Sequence, residues 1–105
     1  MSKLPSLITE QVDALGALCR DHHVVRLELF GSAAEGRFDA DSSDLDFLVE
    51  FMPLAAHDRA DAYFGLLDAL NQLFGRRVDL IELGAVDNPF FRQAIDQSRT
   101  LLYAA

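Results

Sequence analysis

Asp44-Leu45-Asp46-Phe47-Leu48-Val49-Glu50-Phe51 alternates residue by residue, with Leu45, Phe47, Val49 and Phe51 on one side and Asp44, Asp46, Leu48 and Glu50 on the other. A period of two is the mark of a strand with one buried face. Pro53 ends it, since a proline cannot donate to a ladder. Upstream, Val25, Leu27 and Leu29 alternate with Arg26 and Glu28, which predicts a strand over 24–30. The small-residue turn Gly31-Ser32-Ala33-Ala34 follows directly, with room for one helical turn from Ala33 to Gly36 before a polar loop over 37–43.

Outward from this pair, the periodicity changes to that of helices. Leu7, Ile8, Val12, Leu15 and Leu18 predict one helix over about 6–21. Tyr63, Leu66, Leu67, Leu70, Leu73 and Phe74 form an apolar stripe on a second helix over 57–74, with His57 at its start and Gly75 as its C-terminal cap. A third strand is expected over 78–83, with Asp79 opposite Val78 and Leu80. Asn88-Pro89 reads as a cap with proline in the first turn, opening a helix to about Gln97, and 100–103 as a short final strand. Of Phe90 and Phe91, one is expected in the core and the other near an acceptor or partner surface. The fold class is therefore α+β (mixed α/β), a sheet of three to four strands with helices packed on it, in one domain spanning 1–105.

Composition narrows the function. The chain has 105 residues, 50% of them hydrophobic, and carries 9 Lys+Arg against 17 Asp+Glu for a net charge of -8. That excludes a disordered tail and argues against wrapping a nucleic-acid template, which needs clustered cations to release counterions. Cys19 is the single cysteine and sits among Val12, Leu15 and Leu18, where a buried apolar role is expected and no disulfide is possible. Adjacent His22 and His23 diverge and lack a third ligand, so zinc is not expected. No secretion signal and no run of 18 apolar residues is present, which points to the cytoplasm and away from a membrane.

The chemistry lies where the two alternating strands meet the glycine turn. Residues at i and i+2 of a strand share a face about 6.6 Å apart, so Asp44 and Asp46 present paired carboxylates. Each opposes the other's ionisation, and a hard divalent cation removes the conflict. Gly31 and Ser32 supply the complement, a turn whose backbone N–H groups and hydroxyl suit an anion. Asp79, charged between Val78 and Leu80, is costly unless exposed or paired, and beside the other two it supports a second ion. An anion cradle beside a cation holder is a site for a metal-bound polyphosphate.

Gly31-Ser32, eleven residues, Asp44-Leu45-Asp46 and a later strand aspartate at 79 together resemble the nucleotidyltransferases related to DNA polymerase beta. With so short a chain the pattern is similar to the minimal nucleotidyltransferases that serve as antitoxins beside HEPN-type toxins. The resemblance implies that Asp44, Asp46 and Asp79 hold two Mg²⁺ ions, with Asp79 also activating the acceptor. It implies that Gly31 and Ser32 hold the β- and γ-phosphates of a nucleoside triphosphate. It further implies transfer of AMP from ATP to a hydroxyl on a helical HEPN-type partner. Where relatives carry a basic residue before the second glycine, this chain has Glu35 before Gly36, and Arg37 becomes the candidate phosphate contact. The rival reading is a non-catalytic acidic antitoxin that masks a basic partner surface, which the charge of -8 suits.

Overall fold

The computed structural model describes residues 4–31, 33–34 and 44–105. The elements run α1 (Ser6–Thr9), α2 (Val12–Asp21), β1 (Val24–Phe30), β2 (Leu45–Phe51), α3 (Ala56–Phe74), β3 (Val78–Glu82), a 3₁₀ turn (Leu83–Ala85), α4 (Pro89–Ser98) and β4 (Thr100–Ala104). The strands form one mixed sheet in the order β3-β2-β1-β4. β1 lies antiparallel to β2 and β4, while β2 and β3 run parallel, with α3 as their crossover. The expected mixed α/β sheet with packed helices is therefore the observed one.

Alternation sorts the strands into two faces. Leu27, Leu29, Leu45, Phe47, Val49, Val78 and Leu80 turn toward one core, shared with Ile8, Leu15 and Cys19 of the N-terminal helices and Ala62, Leu66 and Leu70 of α3. Phe30 and Leu48 turn the other way, onto Ile95 of α4. Residues 44, 46 and 79 share the parity of this second face, which α4 covers in part. Cys19 is fully buried and its thiol is pushed up to about 12 by desolvation, so it packs as a small apolar group.

One helix was expected over 6–21, and the chain breaks it at Glu10–Gln11. Gln11 leaves helical geometry (φ -112°, ψ 17°), and its N–H bonds three residues back to Ile8. The Thr9 hydroxyl donates to the Ser6 carbonyl, a local bond that competes with helix propagation, and Ile8-Thr9 is a β-branched pair. Elsewhere the terminators act as their chemistry dictates. Gly75 takes the left-handed conformation (φ 63°) after α3, and the Asn88 side chain accepts from the N–H groups of Phe90 and Phe91.

β3 is an edge strand, and α3 closes its outer side. The Asn71 side chain accepts from the Val78 N–H at 3.0 Å, and the Tyr63 hydroxyl donates to the Leu80 carbonyl. Two groups that would otherwise invite another strand are thus satisfied from the helix. They flank Asp79, so the same bonds fix the strand that carries it. Across the sheet, Glu28 is buried and held by two hydrogen bonds from Arg99 at 2.6 and 2.9 Å. Those bonds hold its carboxyl below the usual carboxylate range despite burial.

Candidate active site

The parallel register places Asp46 directly beside Asp79, and the antiparallel register places Phe30 on the other side of Asp46. At this level the sheet reads Asp79, Asp46, Phe30 from its edge inward, with Gly31 just past the end of β1. Asp46 is half-buried, and its carboxyl is pushed up to about 6. Desolvation is the largest cause, followed by the charge of Asp79, a hydrogen bond shared with it, and the charge of Asp44. Asp46 therefore keeps its proton in mildly acidic solution. Arg77 lies with Nε 3.8 Å from both Asp44 and Asp79, tying the third carboxylate to the same patch. These contacts are long and its side chain is 76% exposed, so they amount to screened neutralisation.

Gly31 explains how the corner fits against the acid. Its φ is +76°, and a Cβ there would stand 2.5 Å from Oδ2 of Asp46. Any side chain at this position meets the carboxylate. The Gly31 N–H donates to the Ser98 hydroxyl at 3.0 Å, so the C-terminal end of α4 anchors the turn. This N–H is already engaged, and the demonstrable contribution of Gly31 is space for Asp46. Ala33 and Ala34 are buried in the core just beyond. Ser32 and Arg37, expected at phosphate, lie outside the described residues, as do Glu35 and Gly36.

A cavity of about 420 Å³ opens at the carboxylates, lined by Phe30, Asp46, Tyr63, Asp79, Leu80 and Phe91. Phe91 meets Phe30 edge-on at 6.3 Å. The expectation that one of Phe90 and Phe91 enters the core is corrected here: they are 80% and 41% exposed, because the α4 core contact is made by Ile95. Sequence reasoning also missed Tyr63, Arg77 and Ser98. Arg77 was legible in principle, since it precedes Asp79 by two residues and shares its strand face.

Among the described residues, the group whose ligand atoms all fall within 4.8 Å of one another is His57, Asp58 and Asp61 on α3, all exposed. Asp44, Asp46 and Asp79 stand wider, with Arg77 beside two of them. The α3 cluster carries the His57–Asp61 contact of 3.4 Å at i, i+4 spacing, an ordinary surface pair.

A family model described as nucleotidyltransferase domain matches residues 13–102, which takes in all three aspartates and the glycine corner. The chain belongs to the nucleotidyltransferase family. Among its relatives is "Putative protein adenylyltransferase MJ0128" of Methanocaldococcus jannaschii, 34% identical over 76 residues, covering 72% of this chain and 74% of the relative. A solved structure described as "Structure of putative minimal nucleotidyltransferase" superposes with a TM-score of 0.66 at 29% identity, covering 95% of each chain. A chain from the complex of tri-AMPylated Shewanella oneidensis HEPN toxin with MNT antitoxin matches at 21% identity and a TM-score of 0.59. That match spans 93% of this nucleotidyltransferase and 73% of that chain, and shows a shared fold. The resemblance carried by Gly31 and the three aspartates is thus borne out at the level of family and fold.

Proposed function

We propose that this nucleotidyltransferase moves AMP from ATP onto a hydroxyl of a HEPN-type helical partner, as the antitoxin of a cytoplasmic pair, with residues 1–105 acting as one minimal domain. The observation that carries the reading is the juxtaposition of Asp46 and Asp79 on paired strands, with Asp44 tied to them through Arg77, at a corner where only glycine fits. Catalysis by such a site is positioning and charge neutralisation.

The donor set suits Mg²⁺. Three carboxylates offer hard oxygens, and the crowding that pushes the Asp46 carboxyl up is electrostatic frustration that a dication relieves. When bound, the metal neutralises phosphate charge and polarises the phosphorus–oxygen bond. Asp46 on β2 and Asp44 just before it would hold it. Asp79, on the edge strand that Asn71 and Tyr63 hold at Val78 and Leu80, takes the proton of the incoming hydroxyl. Gly31 keeps Asp46 at the corner, and Ser32 and Arg37 are the proposed phosphate contacts. The acceptor oxygen bonds to the α-phosphorus as the bond to the bridging oxygen breaks, and pyrophosphate leaves.

Because a cation must displace the Asp46 proton, its affinity follows the ionisation of Asp46. The carboxyl at about 6 is mostly ionised at pH 7 and mostly protonated at pH 5. Affinity for Mn²⁺, read by calorimetry, is expected to fall about tenfold between those values. The transfer itself is tested by incubating the pair with ATP and Mg²⁺ and weighing the partner. A gain of one or more AMP masses, absent with Asp79→Asn, is the expected result. Neutralisation of the partner with no gain in mass would overturn transfer and favour masking by an acidic surface.

A further inference from the structure

The end of α4 meets the end of β1 at three points. Ile95, Ser98 and Arg99 stand at i, i+3 and i+4, the spacing that gathers side chains on one face of a helix. Ile95 packs with Phe30, and the Ser98 hydroxyl accepts from the Gly31 N–H at 3.0 Å. Arg99 donates to both carboxylate oxygens of Glu28, at 2.6 and 2.9 Å. Among the described residues, Glu28 and Ser98 are the buried polar side chains, and both belong to this junction. Burying polar groups is costly unless they are hydrogen-bonded, and well-packed apolar residues often stabilise a contact as well. What the polar pair adds is direction: a hydrogen bond fixes one atom against another, where apolar surfaces slide.

The position so fixed is the wall beside Asp46. Phe30 is the ladder partner of Asp46 across the antiparallel pair. At the next residue, a Cβ on Gly31 would stand 2.5 Å from Oδ2 of Asp46, so the bare backbone of the corner lies against that oxygen. Without its bond to Ser98, the corner is free to retreat, and the carboxylate is free to turn into the space. The Gly31 N–H is spent on Ser98 and not on a bound anion.

We propose that Ser98 is a positioning residue for the cation site: through the Gly31 N–H it holds the corner against Asp46 and sets the orientation of that carboxylate before a cation arrives. Arg99 supports it by locking β1 at Glu28, three residues upstream. This inference rests on the cation site proposed above. Groups that orient metal ligands from behind commonly contribute roughly 10–100-fold in metal affinity.

The test is calorimetric titration of the full chain with Mn²⁺, in the wild type and in Ser98→Ala, Ser98→Thr and Cys19→Ala. Cys19 is buried in the core on the other face of the sheet, so its truncation supplies a destabilised control. Affinity is expected to fall about tenfold in Ser98→Ala, to return to within about threefold of wild type in Ser98→Thr, and to change less than about twofold in Cys19→Ala. Hydrogen exchange at the Gly31 amide is expected to quicken in Ser98→Ala and to stay slow in Ser98→Thr. Unchanged manganese affinity in Ser98→Ala, or an equal loss in Cys19→Ala, would overturn the proposal. So would a Ser98→Thr variant that protects the Gly31 amide and still loses manganese. Tighter binding of inorganic tripolyphosphate by Ser98→Ala would also overturn it, by making the Gly31 N–H an anion donor that Ser98 holds back. A wild-type chain that takes up no manganese would sink the cation site along with this inference, whereas uptake that ignores Ser98 sinks the inference alone.

Discussion

Asp46→Asn is expected to reduce nucleotidyl transfer by about 10³-fold or more while making the protein harder to unfold. The first effect follows from removing a charged oxygen from the proposed metal site, worth several kcal/mol in the transition state. The second follows from the cost that the carboxylate imposes on the fold. Its carboxyl titrates at about 6 against an ordinary 3.8, so the native state binds this proton more tightly than the unfolded chain does. Folding is therefore penalised as pH rises through that window, fully so above about pH 6 and not at all below about pH 4. The difference in titration sets an upper bound of about 3 kcal/mol. Solvent on the open side of the cavity reduces that to about 1 kcal/mol, or about 4–8 °C in melting temperature for a chain of this size. Thermal melts at pH 7.5 and pH 4 check the sign: the advantage of the variant appears at the first and disappears at the second. An Asp46→Asn variant less stable than wild type at pH 7.5 would contradict the electrostatic account of the site.

Gly31→Ala carries the next largest effect, and Gly75→Ala is its control. Both glycines have positive φ, +76° and +63°, so each substitution imposes a left-handed alanine at about 1–2 kcal/mol. The surroundings differ. Nothing lies within 4 Å of a Cβ at Gly75, whereas at Gly31 it meets Oδ2 of Asp46 at 2.5 Å. Asp46 is bonded to Asp79 and cannot swing away without breaking that pair. Both variants are expected to melt lower, and Gly31→Ala alone to lose about 10²-fold in transfer, the scale of an ångström displacement of a reacting group. Equal activity losses in the two would show that the corner acts through stability and not through Asp46.

Much of this was legible because alternation states which side of a strand is buried. The run from Asp44 to Phe51 fixed both the strand and the face of its acids, and Gly75 and Asn88 ended and began helices through local chemistry. What the sequence could not show is pairing between strands. Asp79 beside Asp46 is a property of the parallel register, set by how α3 returns the chain. The Gly31–Ser98 bond joins residues 67 apart, and the Glu28–Arg99 pair spans 71, so neither leaves a local pattern. The break at Glu10–Gln11 escaped for the opposite reason: the apolar spacing continues across it, while a threonine hydroxyl ends the helix. Phe90 and Phe91 show the limit of reading aromatics as core, since α4 meets the sheet through Ile95.

The claim on which the account turns is that Asp44, Asp46 and Asp79 act as one cation site at the glycine corner. Crystals grown with Mn²⁺ and AMP-PNP, measured for anomalous scattering at the manganese edge, test it most directly. The account predicts manganese held by Asp44 and Asp46, with Asp79 facing it and the phosphates on the Gly31 side. Manganese at the exposed His57–Asp58–Asp61 cluster, with none at Asp44, Asp46 and Asp79, would contradict it.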